Sequence, residues 1–386
     1  MKKCLHLAVW SSCVLAACTS SPQYNVSGTL TDVQSDTLLI RSSDIDSSVE
    51  WRIVTDTVPL ENGKFKLHLE GKALKRVVIM EKPFLRPDAQ GRIPAVSMKA
   101  ISFVLLPGKE VVVNGSLDEY TLSGDAFYDA YSKLQLEKNA YLHKLDSLRN
   151  VFTELKREGV PEDSLLRLNM WAEKWRQAMM EVSTSYIRQH PDQDLSVFLL
   201  SQTPLKLEMV DSLLSMLSDE VRKGVMQPLY QEIKTECEKG KARLQALEKV
   251  KEGMPAPLFT LKDIQGKDFS LASLKGKYVI LDFWGSWCGW CIKGLPAMKK
   301  AYQKYKDKVV FVGVDCNDTE EKWKKAVSEH EIPWLNVRNT GQPDIAVLYG
   351  VSGYPTKVVI DKEGKILKRM VGEDTTFYDF LDEILK

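Results

Sequence analysis

The run Tyr278-Val279-Ile280-Leu281-Asp282-Phe283-Trp284 reads as a buried strand. Just beyond it stand Trp287-Cys288-Gly289-Trp290-Cys291, at the head of a helical pattern that continues from Gly289 to about Lys306. A strand that hands two thiols to a helix N-terminus calls for a layered α/β fold around it. It also sets the chemistry. The first turn of a helix carries unsatisfied N–H groups and partial positive charge, which favour a thiolate over a thiol. Thiolates attack disulfides, so Cys288 is expected to be a nucleophile near neutral pH. Cys291 follows one helical turn later, on the same side and deeper, placed to resolve a mixed disulfide formed through Cys288. Other uses of the pair fit less well. Structural zinc needs four ligands, yet there is no second C-x-x-C and no H-x₃₋₅-H among five histidines, so no metal is expected. Covalent haem attachment needs a histidine where Ile292 stands. A purely structural disulfide across so short a loop gains little chain entropy.

At ~100–200 residues per domain, the remaining length allows two or three folded units in all. With 44% hydrophobic and 27% charged residues, wholesale disorder is excluded. Lys plus Arg (53) nearly cancels Asp plus Glu (52), so no general attraction to nucleic acid is expected. Residues 24–124 form a β-rich region. Thr29-Leu30-Thr31, Thr37-Leu38-Leu39-Ile40, Val77-Val78-Ile79-Met80 and Val111-Val112-Val113 are separated by turn signals at Glu61-Asn62-Gly63-Lys64, Pro87-Asp88 and Pro107-Gly108. An antiparallel sheet or small sandwich is the natural reading. Residues 125–250 change to helical period. Phe127, Tyr131, Leu134, Tyr141, Leu145, Leu148, Phe152 and Leu155 form one stripe, broken at Lys138; Leu165, Leu168, Trp175, Met179, Val182 and Tyr186 form a second. Glu158-Gly159-Val160-Pro161 between them predicts a helix end, hence two long antiparallel helices with shorter ones after Pro191. The stretch Lys251 to Pro257 marks a boundary, and residues 251–386 alternate strands with helices. A hairpin turns at Gln265-Gly266, a strand spans Val309 to Val314, and a helix lies near Glu320 to His330. Strands are also expected at Lys357 to Ile360 and Ile366 to Val371, with a last helix from Thr375.

The first residues set a compartment. Lys2 and Lys3 precede a short apolar segment from Leu5 to Ala17, the form of a secretory signal, too short for a membrane-spanning helix. Leu15-Ala16-Ala17-Cys18 resembles a bacterial lipobox, which implies removal of residues 1–17, acylation of Cys18 and a linker over 18–23. Several acyl chains would hold the protein on a membrane surface. Of seven cysteines, Cys4 and Cys13 then leave with the leader, and Cys237 and Cys316 are expected to be buried or incidental free thiols. Thr19 and Ser20 lack an aspartate for inner-membrane retention, which favours the outer membrane.

From about Met254 to Lys386 the chain resembles the thioredoxin-fold domain of TlpA/ResA-like exported thiol–disulfide oxidoreductases. The resemblance rests on Gly276 through Cys291, Gly353-Tyr354-Pro355-Thr356 and Asp361-Lys362-Glu363-Gly364-Lys365. The segment ahead, with Leu106-Pro107-Gly108 and Leu122-Ser123-Gly124, resembles a small β-rich domain found before thioredoxin domains in lipid-anchored bacterial proteins. The resemblance implies that Pro355 is the cis-proline facing the cysteines, leaving the Tyr354 backbone to pair with substrate. It further implies that Asp282 is the buried acid that takes the Cys291 proton, and that Pro296 kinks the helix. Trp287 and Trp290 are expected to flank the sulfur as an apolar docking surface.

Two departures matter. Gly289-Trp290 stands where thioredoxins carry Gly-Pro and oxidising relatives a histidine; without that positive charge a reductase is expected rather than an oxidase. Gly294 replaces the acid often found three positions after the second cysteine. The family implies electrons from a membrane thiol carrier of CcdA/DsbD type, passed to disulfides of exported proteins such as apocytochrome c, with no organic cofactor. Two rivals stand beside this: a non-catalytic envelope adaptor, and a peroxiredoxin-like peroxidase. The peroxidase site reads P-x-x-x-[TS]-x-x-C, and Phe283, Trp284 and Gly285 stand in the wrong places for it.

Overall fold

The computed structural model describes residues 25–45, 53–81 and 99–385. The leader 1–17, Cys18, the linker to residue 23 and the expected turn at Pro87-Asp88 lie outside the described residues. The chain divides at 233/234 into two compact units.

In the first unit, β1 (Val26–Leu30), β4 (Lys64–Leu67), β7 (Val111–Gly115) and β8 (Tyr120–Ser123) form a sheet in the order β4-β1-β7-β8. A second sheet, ordered β3-β2-β5-β6, contains β2 (Thr37–Asp44), β3 (Val54–Pro59), β5 (Lys75–Glu81) and β6 (Ala100–Leu105). The expectation of an antiparallel domain needs one correction: β1 runs parallel to β7, with Val26 opposite Val111. The second sheet is built between these two strands in sequence, and so long a crossover allows the chain to re-enter from the same end.

Helices follow: α1 (Ala126–Arg157), α2 (Leu166–Gln189), α3 (Asp194–Gln202), α4 (Leu207–Met216), α5 (Asp219–Lys223) and α6 (Gln227–Lys249). Asp125 caps α1 by accepting the Phe127 N–H at 3.0 Å. The first turns of α1 join both sheets. The Tyr128 hydroxyl donates to the Val104 carbonyl and accepts from Leu106 N–H, and the Ser132 hydroxyl does the same with Leu122. Farther on α1 packs along α2, and Leu145, Leu148 and Phe152 of the first predicted stripe line one hollow with Leu168 of the second and with Ala172, which the predicted stripe does not include. Lys138, where the stripe breaks, is partly buried, and that burial pushes its ammonium down to about 8. α1 ends where Gly159 takes φ 78°, with its N–H on the Lys156 carbonyl.

In the second unit β9 (Thr260–Asp263), β10 (Asp268–Ser270), β11 (Tyr278–Trp284), β12 (Val309–Cys316), β13 (Leu335–Asn339), β14 (Thr356–Ile360) and β15 (Ile366–Val371) form one sheet. Its order is β10-β9-β13-β12-β11-β14-β15. β11, β12 and β13 are parallel, while β14, β15 and the β9–β10 hairpin run antiparallel to their neighbours. Around the sheet lie α7 (Gly289–Tyr305), α8 (Glu320–Glu329), α9 (Ile345–Leu348) and α10 (Thr376–Ile384). This is the expected α/β thioredoxin-like layer fold. The strand expected at Val309 to Val314 extends through Cys316, and β13 and α9 are additions.

β11 is central, which explains its nearly unbroken apolar sequence: both faces are covered. Val279, Leu281 and Phe283 enter one core with Val312, Val314, Val358 and Tyr349. Ile280 and Trp284 enter the other with Phe311, Val359, Leu295, Met298 and Phe377. Val250 and Leu247, at the end of α6, belong to the first of these cores. The stretch from Gly253 is hydrogen-bonded onto the edge of the sheet, Gly253 N–H to Ile366 O and Ile366 N–H to Met254 O.

Candidate active site

β11 ends at Trp284, and the turn Gly285-Ser286-Trp287 delivers Cys288 to the N-cap of α7. Cys288 and Cys291 are joined as a disulfide, with Cα atoms 5.2 Å apart. The Cys288 Sγ accepts the Cys291 N–H at 3.1 Å, so an orphan donor of the helix points at this sulfur. Once the bond is reduced, the same donor and the helix dipole stabilise negative charge on Cys288. Depth does not separate the two cysteines. They are 6% and 5% exposed, so the expectation that Cys291 lies deeper has no counterpart in coverage. Their difference is position on the helix: one caps it, the other stands inside it.

The turn is tied down from β12 and the loop after it. Asp318 accepts the Ser286 N–H at 2.6 Å and the Ser286 hydroxyl at 2.7 Å. Trp287 Nε1 donates to the Cys316 carbonyl at 2.9 Å. Its ring meets Tyr354 edge-on at 5.1 Å, and the Tyr354–Pro355 peptide is cis. Trp287 and Trp290 are 51% and 66% exposed, beside cysteines that are nearly covered. The Lys293 ammonium lies 4.7 Å from the Trp290 ring centre. The site thus presents two open indoles around a small sulfur opening.

Asp282 belongs to β11, the strand that leads into this turn. The two-residue period of β11 puts it between Ile280 and Trp284, on the face covered by α7. It is buried, its Oδ1 has no hydrogen bond, and burial holds its carboxyl above the usual range. Its cross-strand neighbour on β14 is Lys357. Lys357 Nζ is 3.8 Å from Asp282 and 2.6 Å from Glu373, which lies between β15 and α10. Neither Lys357, Glu373 nor Asp318 was singled out by the sequence; a lysine within an apolar strand was the available signal. Cys237 and Cys316 are both buried, and burial pushes the Cys316 thiol up. Pro296 lies inside α7. Among the described residues no cluster of His, Cys, Asp and Glu could hold a metal ion, and no helix is long and apolar enough to cross a membrane.

Fold and cysteine pair together define a thioredoxin-fold thiol–disulfide oxidoreductase. Residues 253–369 match the AhpC/TSA family. The chain is 40% identical to the thiol-disulfide oxidoreductase ResA of Bacillus anthracis over 129 residues, 33% of this chain and 74% of that protein. It is 33% identical to ResA of Bacillus subtilis over 140 residues, 36% of this chain and 78% of that protein. Among solved structures it is similar to the thioredoxin domain of a thiol-disulfide oxidoreductase from Bacteroides vulgatus. That similarity has 33% identity and TM-score 0.33, covering 35% of this chain and 99% of the other. The chain belongs to the ResA-like thiol–disulfide oxidoreductases. A peroxidase site is not favoured: counting back from Cys288, Leu281 and Gly285 hold the places of the proline and the Ser/Thr.

Proposed function

We propose that this protein is an exported reductase of protein disulfides in the cell envelope, anchored by lipid on Cys18 and facing the periplasm, at the outer rather than the inner membrane. The observation that carries the thiol chemistry is the helix N–H directed at the Cys288 sulfur. In the reduced enzyme the Cys288 thiolate attacks a target disulfide, forming a mixed disulfide and expelling one target thiolate. Cys291 gives its proton to the Asp282 carboxylate and attacks Cys288, expelling the second thiolate and closing the Cys288–Cys291 bond. Two electrons pass to the target. A membrane dithiol of CcdA/DsbD type restores them, and apocytochrome c is one fitting target.

Trp287 and Trp290 give the target apolar contact, and the Tyr354 backbone beside Pro355 pairs with its main chain. Trp290 supplies no positive charge to the thiolate, which supports reduction as the working direction. Disulfide reduction in insulin, driven by dithiothreitol, tests the assignment. Cys288→Ala is expected to abolish it, and Cys291→Ala to accumulate a mixed disulfide visible on a non-reducing gel. Activity surviving Cys288→Ala, or none in the unaltered protein, would overturn it.

A further inference from the structure

Four ionisable groups meet on the α7-facing side of the sheet, drawn from four elements. Asp282 comes from β11, Lys357 from β14, Glu373 from the β15–α10 connection and Tyr378 from α10. On the remaining strand, β12, the residue opposite Asp282 is Gly313, and Asp315 lies one step on along the same face. From α7 the group on that face is Cys291. Lys357 is only 3% exposed, and the Phe377 ring covers it, its centre 5.7 Å from the ammonium. One buried cation thus serves two carboxyls, Asp282 covered and Glu373 partly open.

The distribution is unequal. Glu373 takes the Lys357 ammonium at 2.6 Å and the Tyr378 hydroxyl at 2.7 Å. Asp282 stands 3.8 Å from the same ammonium, beyond hydrogen-bond reach, with an oxygen that no donor satisfies. Room for this arrangement comes from α7. A Cβ on Gly294 would fall 2.5 Å from the Glu373 carboxyl carbon, so the carboxylate fills the space that any larger residue would occupy.

We propose that Glu373 is a positioning residue for the exchange reaction: it holds the Lys357 ammonium away from Asp282, so that Asp282 keeps the resolving thiol's proton while the disulfide is closed. The step balances. Reduced enzyme carries the Cys288 thiolate, the Cys291 thiol and the Asp282 carboxylate. After the target has received two electrons, the enzyme carries a disulfide and a protonated Asp282, and two target thiolates have left. When a reductant reopens the bond, Cys291 leaves as a thiolate and takes that proton back. The closed form is the one seen here. In it burial holds the Asp282 carboxyl above its ordinary range; Lys357 opposes this and the Glu373 charge adds to it.

The proposal rests on the assignment of Asp282 under Proposed function, and its test is separable from that of the thiol chemistry. The Asp282 carboxyl is titrated by difference infrared spectroscopy in the oxidised protein without substrate, its band identified by loss in Asp282→Asn. In Glu373→Gln the ammonium has only Asp282 to pair with, so the midpoint falls by about one pH unit or more. Gly294→Ala perturbs the same contact from the other side: it removes a helix-interior glycine and pushes the Glu373 carboxylate aside. Its midpoint is expected to fall too, and the double variant to fall no further than Glu373→Gln. If Glu373→Gln does not fold, Gly294→Ala alone decides. An unmoved midpoint in the folded variants overturns the role of Glu373 and leaves the cysteine chemistry standing; loss of the Cys288 result overturns the latter.

Discussion

Asp315 is the second carboxyl on the α7-facing side of the central strands, opposite Trp284 and fully buried. Burial, and after it the neighbouring Asp318, push it up to about 9. In an unfolded chain it would titrate near ~3.9. Between those values the folded protein holds a proton that the unfolded chain has lost. Stability therefore falls as pH rises through that window, by at most about 1.4 kcal/mol per pH unit from this group. Asp315→Asn mimics the protonated form and titrates nowhere. It is expected to flatten the decline between about pH 5 and about pH 8 in urea unfolding; an identical decline in both proteins would refute the assignment. The site's legibility follows the same physics. Cys288 and Cys291 stand out because a helix turn is local, whereas Asp282 came forward only through the family resemblance, since residue spacing does not report burial. Lys357, Glu373 and Asp318 reach the site by strand register and loop closure, which residue spacing does not encode.

Elements were legible where one physical signal ran long. β11, α7, α1 and α2 each carry several residues of a single period, and the Gly159 and Gly266 turns punctuate them. β13 escaped because it is five residues long with Val337 as its one β-branched residue, and α9 because it is one turn. The parallel pairing of β1 with β7 depends on a crossover, not on either strand's composition. What fastens α1 to the two sheets is likewise not periodic: two hydroxyls, each giving and receiving one bond with a strand. Ser132→Ala leaves the Leu122 N–H and C=O without that partner in a buried setting. A loss of about 1–3 kcal/mol in urea unfolding of the first unit is expected. Tyr128→Phe, acting on Val104 and Leu106, should cost a similar amount; a change within experimental error in both would show that the sheets hold α1 by packing alone.

Composition divides this molecule at the prolines after Val250, while the fold divides it within α6, at 233/234. The reason is apolar area. Val250 is 1% exposed in the core beside Tyr349 and Val351, and Leu247 packs against that core. Gly350, at φ 60°, lies so close that an added Cβ would strike the Leu247 side chain. The last turns of α6 therefore cover the thioredoxin-like sheet on the side away from α7, whereas the prolines merely carry the chain to its edge. Two fragments make the difference measurable. One beginning at Lys234 keeps the whole cover; one beginning at Lys251 exposes the surface that Val250 and Leu247 bury. At ~1.5–3 kcal/mol for a fully buried side chain and less for a partly buried one, the shorter fragment should be less stable by about 3 kcal/mol. Urea unfolding of the oxidised fragments, followed by tryptophan fluorescence, reads this directly. Equal midpoints and slopes would mean that α6 contributes nothing to the redox unit, and that the proline-marked boundary is the physical one.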